Sequence, residues 1–233
     1  MADRNTAEEH LRIIRSLMEK ATIYRAISAP TALVGGCAGI LAAALFIFQS
    51  GKLENDVRAE SHWFLACWLG ALGIAAVGNV YFLRADARRR GEKFVSGGMR
   101  AALASLWPSY FVAAVFTILR WSHPGLLPIY WMLLYGLGLL GTQHFAPRSI
   151  VFLGVAFLGA GLLAMIGHDV AMERTMIGSN TPENVESAWL ELGNMAMGIT
   201  FGGFHIIYAC CVWPRALRVP EGQGGAVDAG HAP

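Results

Sequence analysis

The sequence predicts an all-α integral membrane protein, a bundle of six transmembrane helices with an amphipathic cytoplasmic helix at its N-terminus. Of the 233 residues, 55% are hydrophobic and only 15% are charged, whereas about 25% of the residues in an ordinary soluble domain are charged. The apolar residues also form long runs, close to the roughly 20 residues that a helix needs to cross about 30 Å of hydrocarbon. The formal net charge of +2 is too small to indicate a nucleic-acid-binding protein.

The segment 1–26 precedes the first apolar run and carries helical periodicity. Its apolar side chains recur at spacings of three and four, while charged side chains occupy the other face. The apolar positions are Leu11, Ile14, Leu17, Met18 and Ala21, and the charged ones are Glu8, Arg12, Arg15 and Glu19. We expect a cytoplasmic helix that packs under the bundle or lies among lipid headgroups, with a contact site for another subunit as the alternative.

Six windows reach or approach the length of a membrane span. They cover residues 27–48, 62–83, 101–119, 126–141, 150–167 and 195–213, and together they define a membrane domain over 27–213. Charge clusters or helix stops separate them, and Pro182 after Thr181 predicts that the last helix begins outside the bilayer. The tail 214–233 is rich in Gly, Pro and Ala, which predicts disorder.

The distribution of positive charge predicts the orientation. An even number of spans places both termini on one side, and that side holds 14 of the 18 lysines and arginines. The other four are Lys52, Arg58, Arg120 and Arg174. Because lysine and arginine accumulate in cytoplasmic loops, we expect cytoplasmic N and C termini in the plasma membrane of a bacterium.

The sixth span carries the clearest group of candidate functional residues. Glu191, Asn194, Gly198, Gly202 and His205 follow one another at offsets of 0, 3, 7, 11 and 14. At about 100° per residue they lie within about 60° of one direction on an α-helix. One interpretation is a lining strip, in which Glu191 collects cations, Asn194 binds polar solute atoms and His205 relays a proton. The favoured interpretation is packing, with the two glycines admitting a neighbouring backbone and His205 bonded to another helix.

Two further features concern packing and helix shape. Gly35 and Gly39 form a GxxxG pair in the first span, which predicts close contact with the sixth span. Pro108 lies in the middle of the third span and predicts a kink, because proline removes a backbone hydrogen bond.

Enzymatic and metal-binding signatures are missing from the sequence. It contains no GxSxG, HExxH or P-loop motif and no pair of intramembrane carboxylates. The four cysteines all fall in apolar runs without metal-ligand spacing. We therefore expect no metal, no cofactor and no catalytic site.

Three function classes follow in order of preference. The first is a non-enzymatic accessory, assembly or regulatory subunit, whose partners are the lipid bilayer and either a second copy or another membrane protein. The second is a small-solute or proton-linked channel or transporter that uses the strip on the sixth span. The third is a subunit that binds haem or quinone, for which His62 and His168 near one surface are the candidate haem ligands.

Overall fold

The computed structural model describes residues 9–10, 29–52, 56–90, 97–144, 146–176 and 182–216. These residues form helices and short turns, with no strand among them. The helices are α1 (Ala29–Ser50), α2 (Val57–Arg90), α3 (Gly97–Leu119), α4 (Leu127–Gly141), α5 (Arg148–Met176), α6 (Pro182–Met197) and α7 (His205–Ala216). A 3₁₀ turn (Pro124–Leu126) precedes α4, and a π-helical segment (Gly198–Phe204) joins α6 to α7.

Six helical stretches are long and apolar enough to cross a membrane, which confirms the expected all-helical, six-span class. They are Ala29–Ser50, Val57–Arg89, Met99–Leu119, Pro124–Gly141, Arg148–Val170 and Val185–Val212. The last stretch combines α6, the π segment and α7, and its helix begins at Pro182 as expected. Apart from Glu9 and His10, the N-terminal amphipathic segment lies outside the described residues, as does the tail from residue 217.

The helices pack as two groups that meet at the last span. Helix α1 packs between α2 and the last span, while α4 packs between α3 and α5 and also contacts α6. Two apolar clusters fill the interior between these groups. The first is built around Phe46, Phe64, Trp68 and Leu190, and the second around Met132, Phe157, Tyr208 and Val212. The buried polar side chains of the last span, those of Asn194, Thr200 and His205, therefore lie inside the protein.

Helix α3 is the most peripheral helix of the bundle. Among its described side chains only those of Ala102 and Thr117 are buried, and it packs mainly against α4. Pro108 lies inside this helix, which continues without interruption from Gly97 to Leu119. The hydroxyl of Ser105 donates to the carbonyl of Ala101 at 3.0 Å. Most of the apolar surface of α3 therefore faces away from the rest of the bundle.

Candidate functional site

The π-helical segment Gly198–Phe204 is the most unusual backbone feature of the last span. A π-helix closes its hydrogen bonds from residue i to i+5, so it holds more residues per turn than an α-helix, and such segments occur often at functional sites. Three of its seven residues are glycines. The hydroxyl of Thr200 bonds back to the carbonyl of Ala196 at 2.8 Å, which ties the segment to α6. From His205 onward, side chains therefore point in directions that differ from those of one continuous α-helix.

The residues of the last span that contact α1 recur at every fourth position. A Cβ added to Gly198 would lie 3.0 Å from Ala43 Cβ, and one added to Gly202 would lie 2.6 Å from Ile40 Cδ1. Further down, Ile206 lies against Gly36 of α1. An ideal α-helix would drift by about 40° at each four-residue step. The π segment absorbs this drift and keeps the contact with α1 continuous.

The glycines of α1 complete this close approach, which is the predicted contact between the first and sixth spans. A Cβ on Gly39 would lie 3.0 Å from the backbone nitrogen of Gly202, and one on Gly36 would lie 3.0 Å from the Gly202 carbonyl oxygen. Gly35 points elsewhere, because its nearest neighbour is Ala75 Cβ of α2 at 3.8 Å. Gly36 and Gly39 therefore admit the last span, whereas Gly35 admits α2.

Asn194 is fully buried and ties three helices together. Its Oδ1 accepts a hydrogen bond from the indole N–H of Trp68 on α2 at 3.0 Å. Its Nδ2 donates to the carbonyl of Ala43 on α1 at 3.1 Å. Both ends of the amide are thus used inside the protein.

His205 is also buried, but it faces a different pair of helices. Its Nε2 and the hydroxyl of Tyr135 on α4 form a hydrogen bond at 2.7 Å. The imidazole lies among aromatic rings, with centroids at 5.6 Å for Phe157 of α5 and 6.3 Å for Phe201. His205 therefore lies within an aromatic cluster between α4, α5 and the last span.

Glu191 differs from the rest of the strip because its side chain is exposed. Two other carboxylates near the start of α6 make interhelical bonds. Glu60 is buried on α2 and accepts from the hydroxyl of Ser187 at 2.6 Å. Glu186 accepts from the backbone N–H of Gly125 at 2.8 Å. These two bonds attach the first turns of α6 to α2 and to the turn before α4.

The five strip residues thus occupy three environments instead of one face. Asn194, Gly198 and Gly202 face α1, His205 faces α4 and α5, and Glu191 is exposed. Their partners Trp68, Tyr135 and Gly36 were not among the residues predicted from the sequence. Polar aromatic side chains at membrane depth were the available signal for Trp68 and Tyr135, since a buried indole N–H or phenol usually has a partner.

Among the described residues, no group of three His, Cys, Asp or Glu side chains could hold a metal ion. The two histidines considered as haem ligands have separate surroundings. His62 is exposed, while the ring of His168 lies 4.3 Å from that of Trp189. A shallow apolar groove between α1 and the last span is open on its outer side and is lined by Ile40, Met195, Ile199, Gly203 and Ile207.

The fold is that of a multi-pass membrane helix bundle. Comparison with known protein families, curated proteins and solved structures finds no match to this chain.

Proposed function

We propose that this protein is a non-enzymatic accessory, assembly or regulatory subunit that acts by contacting another membrane protein. The observation that carries the proposal is the internal use of the strip on the last span. The Asn194 amide bonds to α1 and α2, the strip glycines lie against α1, and His205 bonds to Tyr135. A transport pathway needs polar groups that a solute can reach, and these groups are covered by neighbouring helices.

The exposed surface of α3 supports the same proposal. This helix exposes large side chains along its whole length, including Leu103, Trp107, Phe111 and Ile118. A helix that buries so little within its own chain contributes little to the stability of the bundle. Its exposed surface is available to a neighbouring membrane protein, and we assign the contact to it together with the amphipathic segment 1–26.

The proposed setting is the plasma membrane of a bacterium, with both termini in the cytoplasm. The 14-to-4 division of lysine and arginine between the two sides supports this orientation. It places the amphipathic segment 1–26 on the cytoplasmic side, where it is available as a contact element.

Site-directed crosslinking in cells tests this proposal. In a background without the four native cysteines, single cysteines at Leu103, Phe111 and Ile118 are treated with a thiol-reactive crosslinker. A cysteine at the buried Ala102 is the control on the same helix. We expect the exposed positions to crosslink to one partner protein in a fixed ratio. The yield of this crosslinked product should fall after deletion of residues 1–26. The proposal would be contradicted if these cysteines crosslinked to lipid and to no protein, and if the protein also carried a solute flux in liposomes.

Proton-linked transport is the second candidate, and one observation favours it. The hydrogen-bonded pair Tyr135–His205 lies at membrane depth directly after a π segment. Imidazole can gain and lose a proton near neutral pH, and π segments are common at functional sites. Exchange of His205 for glutamine separates the two candidates, because glutamine can hydrogen-bond but cannot titrate.

A further inference from the structure

One end of the helix bundle is strongly basic. Five exposed arginines, hereafter the basic end, come from three helices: Arg84, Arg88 and Arg89 of α2, Arg100 of α3 and Arg148 of α5. The described residues of α2 to α5 contribute a single acidic residue here, Asp86. This composition differs from that of the opposite end, where Asp56, Glu60, Asp169, Glu186 and Glu191 are found.

The packing of the helices brings these arginines to the same end. A Cβ on Gly141, the last residue of α4, would lie 3.2 Å from the carbonyl oxygen of Ser105 on α3. Arg100 and the turn leading to Arg148 therefore lie at similar heights along the axis of the bundle. The six residues between Arg90 and Gly97 can span at most about 25 Å, which keeps the end of α2 near the start of α3.

The depth of the arginines follows from the length of α2. This helix has 34 residues and is about 51 Å long, well beyond the hydrocarbon thickness of about 30 Å. Its uncharged stretch runs over residues 61–83, about 35 Å, and Arg84 is the first charged residue after it. Arg88 and Arg89 follow one turn later, at about the depth of the lipid phosphates. Tyr81, 66% exposed, lies one turn before Arg84, where aromatic side chains commonly meet the interface.

Apolar surface continues from the arginines toward the middle of the membrane. On α2 the side chains of Leu72, Val77 and Val80 are exposed. A ligand that matches both features has a negative head and long apolar chains. Guanidinium groups bind phosphate oxygens in paired hydrogen bonds. Several arginines at one end also favour a lipid headgroup with a net negative charge over a zwitterionic one.

We propose that the basic end binds the headgroups of anionic phospholipids, with their acyl chains along the exposed face of α2. Arg88 and Arg89 hold the phosphate, and Arg100 and Arg148 extend the positive field across the same end. The bound lipid covers surface that α2 leaves open toward the hydrocarbon.

Lipid retention by the purified full-length protein tests this site. Native mass spectrometry in a neutral detergent compares phosphatidylglycerol with phosphatidylcholine of the same acyl chains. We expect preferential retention of phosphatidylglycerol, with a loss of about five-fold in affinity for each arginine removed. The double variant Arg88→Gln/Arg89→Gln then loses most of the preference, whereas Arg58→Gln/Arg120→Gln at the opposite end keeps it.

Two further measurements distinguish a lipid site from a free-anion site and test the role of positive charge. Inorganic phosphate in excess should not displace the lipid, and displacement would show a free-anion site instead of a lipid site. Arg88→Lys/Arg89→Lys keeps the charge and should keep most of the preference, with the melting temperature confirming that each variant folds. Equal retention of the two lipids by the unmodified protein, or equal losses in the opposite-end variant, would overturn the proposal.

Discussion

At the residue scale, Asn194 is the clearest example of a polar side chain that holds helices together through hydrogen bonds. An amide in a dry interior is costly unless both its donor and its acceptor are bonded. Asn194 meets this requirement with the indole of Trp68 on one side and the carbonyl of Ala43 on the other. It therefore fixes the depth of the last span relative to α1 and α2.

The first prediction concerns this amide. Asn194→Leu leaves the indole N–H of Trp68 without its acceptor, so we expect the free energy of unfolding to fall by about 1–3 kcal/mol. Glu191→Gln, on the exposed part of the same helix, should change it by less than about 0.5 kcal/mol. Thermal unfolding in detergent measures both. A double-mutant cycle with Trp68→Phe should give a coupling of about 0.6 kcal/mol and at most about 1.7 kcal/mol; zero coupling would contradict the role assigned to the bond.

The second prediction separates the two candidate functions at His205. Glutamine keeps a hydrogen bond to Tyr135 but does not titrate, so under the accessory function His205→Gln should be nearly silent in stability. His205→Leu, which removes the bond, should cost about 0.6 kcal/mol, the average for such bonds in membrane proteins.

Flux measurements in liposomes complete the comparison at His205. The accessory function predicts no pH-dependent flux from the unmodified protein across a panel of ions and neutral solutes. Measurable flux that His205→Gln abolishes, with folding intact, would instead establish proton-linked transport through the Tyr135–His205 pair.

At the element scale, the contact between α1 and the last span depends on which glycines face the partner. Gly202 and Gly203 are neighbours, yet only Gly202 faces α1. Apart from the adjoining part of its own helix, Gly203 has no atom within 4 Å of the position where a Cβ would lie. The two positions provide a matched pair within the same π segment.

The third prediction uses this pair. Gly202→Ala places a methyl group 2.6 Å from Ile40 Cδ1 and 3.2 Å from the Ile40 backbone nitrogen. Because the backbone cannot yield as a side chain can, we expect a loss of about 1–3 kcal/mol in stability. Gly203→Ala should leave the melting temperature almost unchanged. If both substitutions were equally tolerated, α1 and the last span could not be in the close contact described above.

Hydropathy predicted the six spans, because a run of about 20 apolar residues has few other stable environments. The detailed arrangement of the last span was beyond the same reasoning. Projection at about 100° per residue placed His205 beside Gly202, but the π segment between them changes the number of residues per turn. No side-chain pattern marks a π segment, since its position depends on how the span fits against α1.

The glycines of α1 show a similar limit. The GxxxG spacing pointed to Gly35 and Gly39, and of these two only Gly39 lies against the last span. The adjacent Gly35 and Gly36 cannot be told apart by spacing alone. Their roles differ because α1 lies between two helices, so that Gly36 faces Ile206 and Gly35 faces Ala75 of α2.

At the scale of the whole molecule, the two ends of the bundle differ in charge. At one end, Glu60 and Glu186 join α6 to α2 and to the turn before α4 through hydrogen bonds. At the other, exposed arginines extend beyond the apolar part of α2. Such an asymmetry matters to a membrane protein because its two ends meet different solutions and different lipid leaflets.

The last prediction concerns the orientation of the whole chain. Six crossings place both termini on one side, and the positive charges around short loops set which side that is. A green fluorescent reporter fused after Arg218 should therefore fluoresce, because it folds in the cytoplasm. Alkaline phosphatase inserted at Ser179 should be active, because that loop lies across the membrane. A third fusion, with alkaline phosphatase at Lys93 in the connection between α2 and α3, should be inactive. Phosphatase activity at Lys93 combined with silence at Ser179 would mean that the bundle is inserted the other way round, and the basic end would then face the outer leaflet.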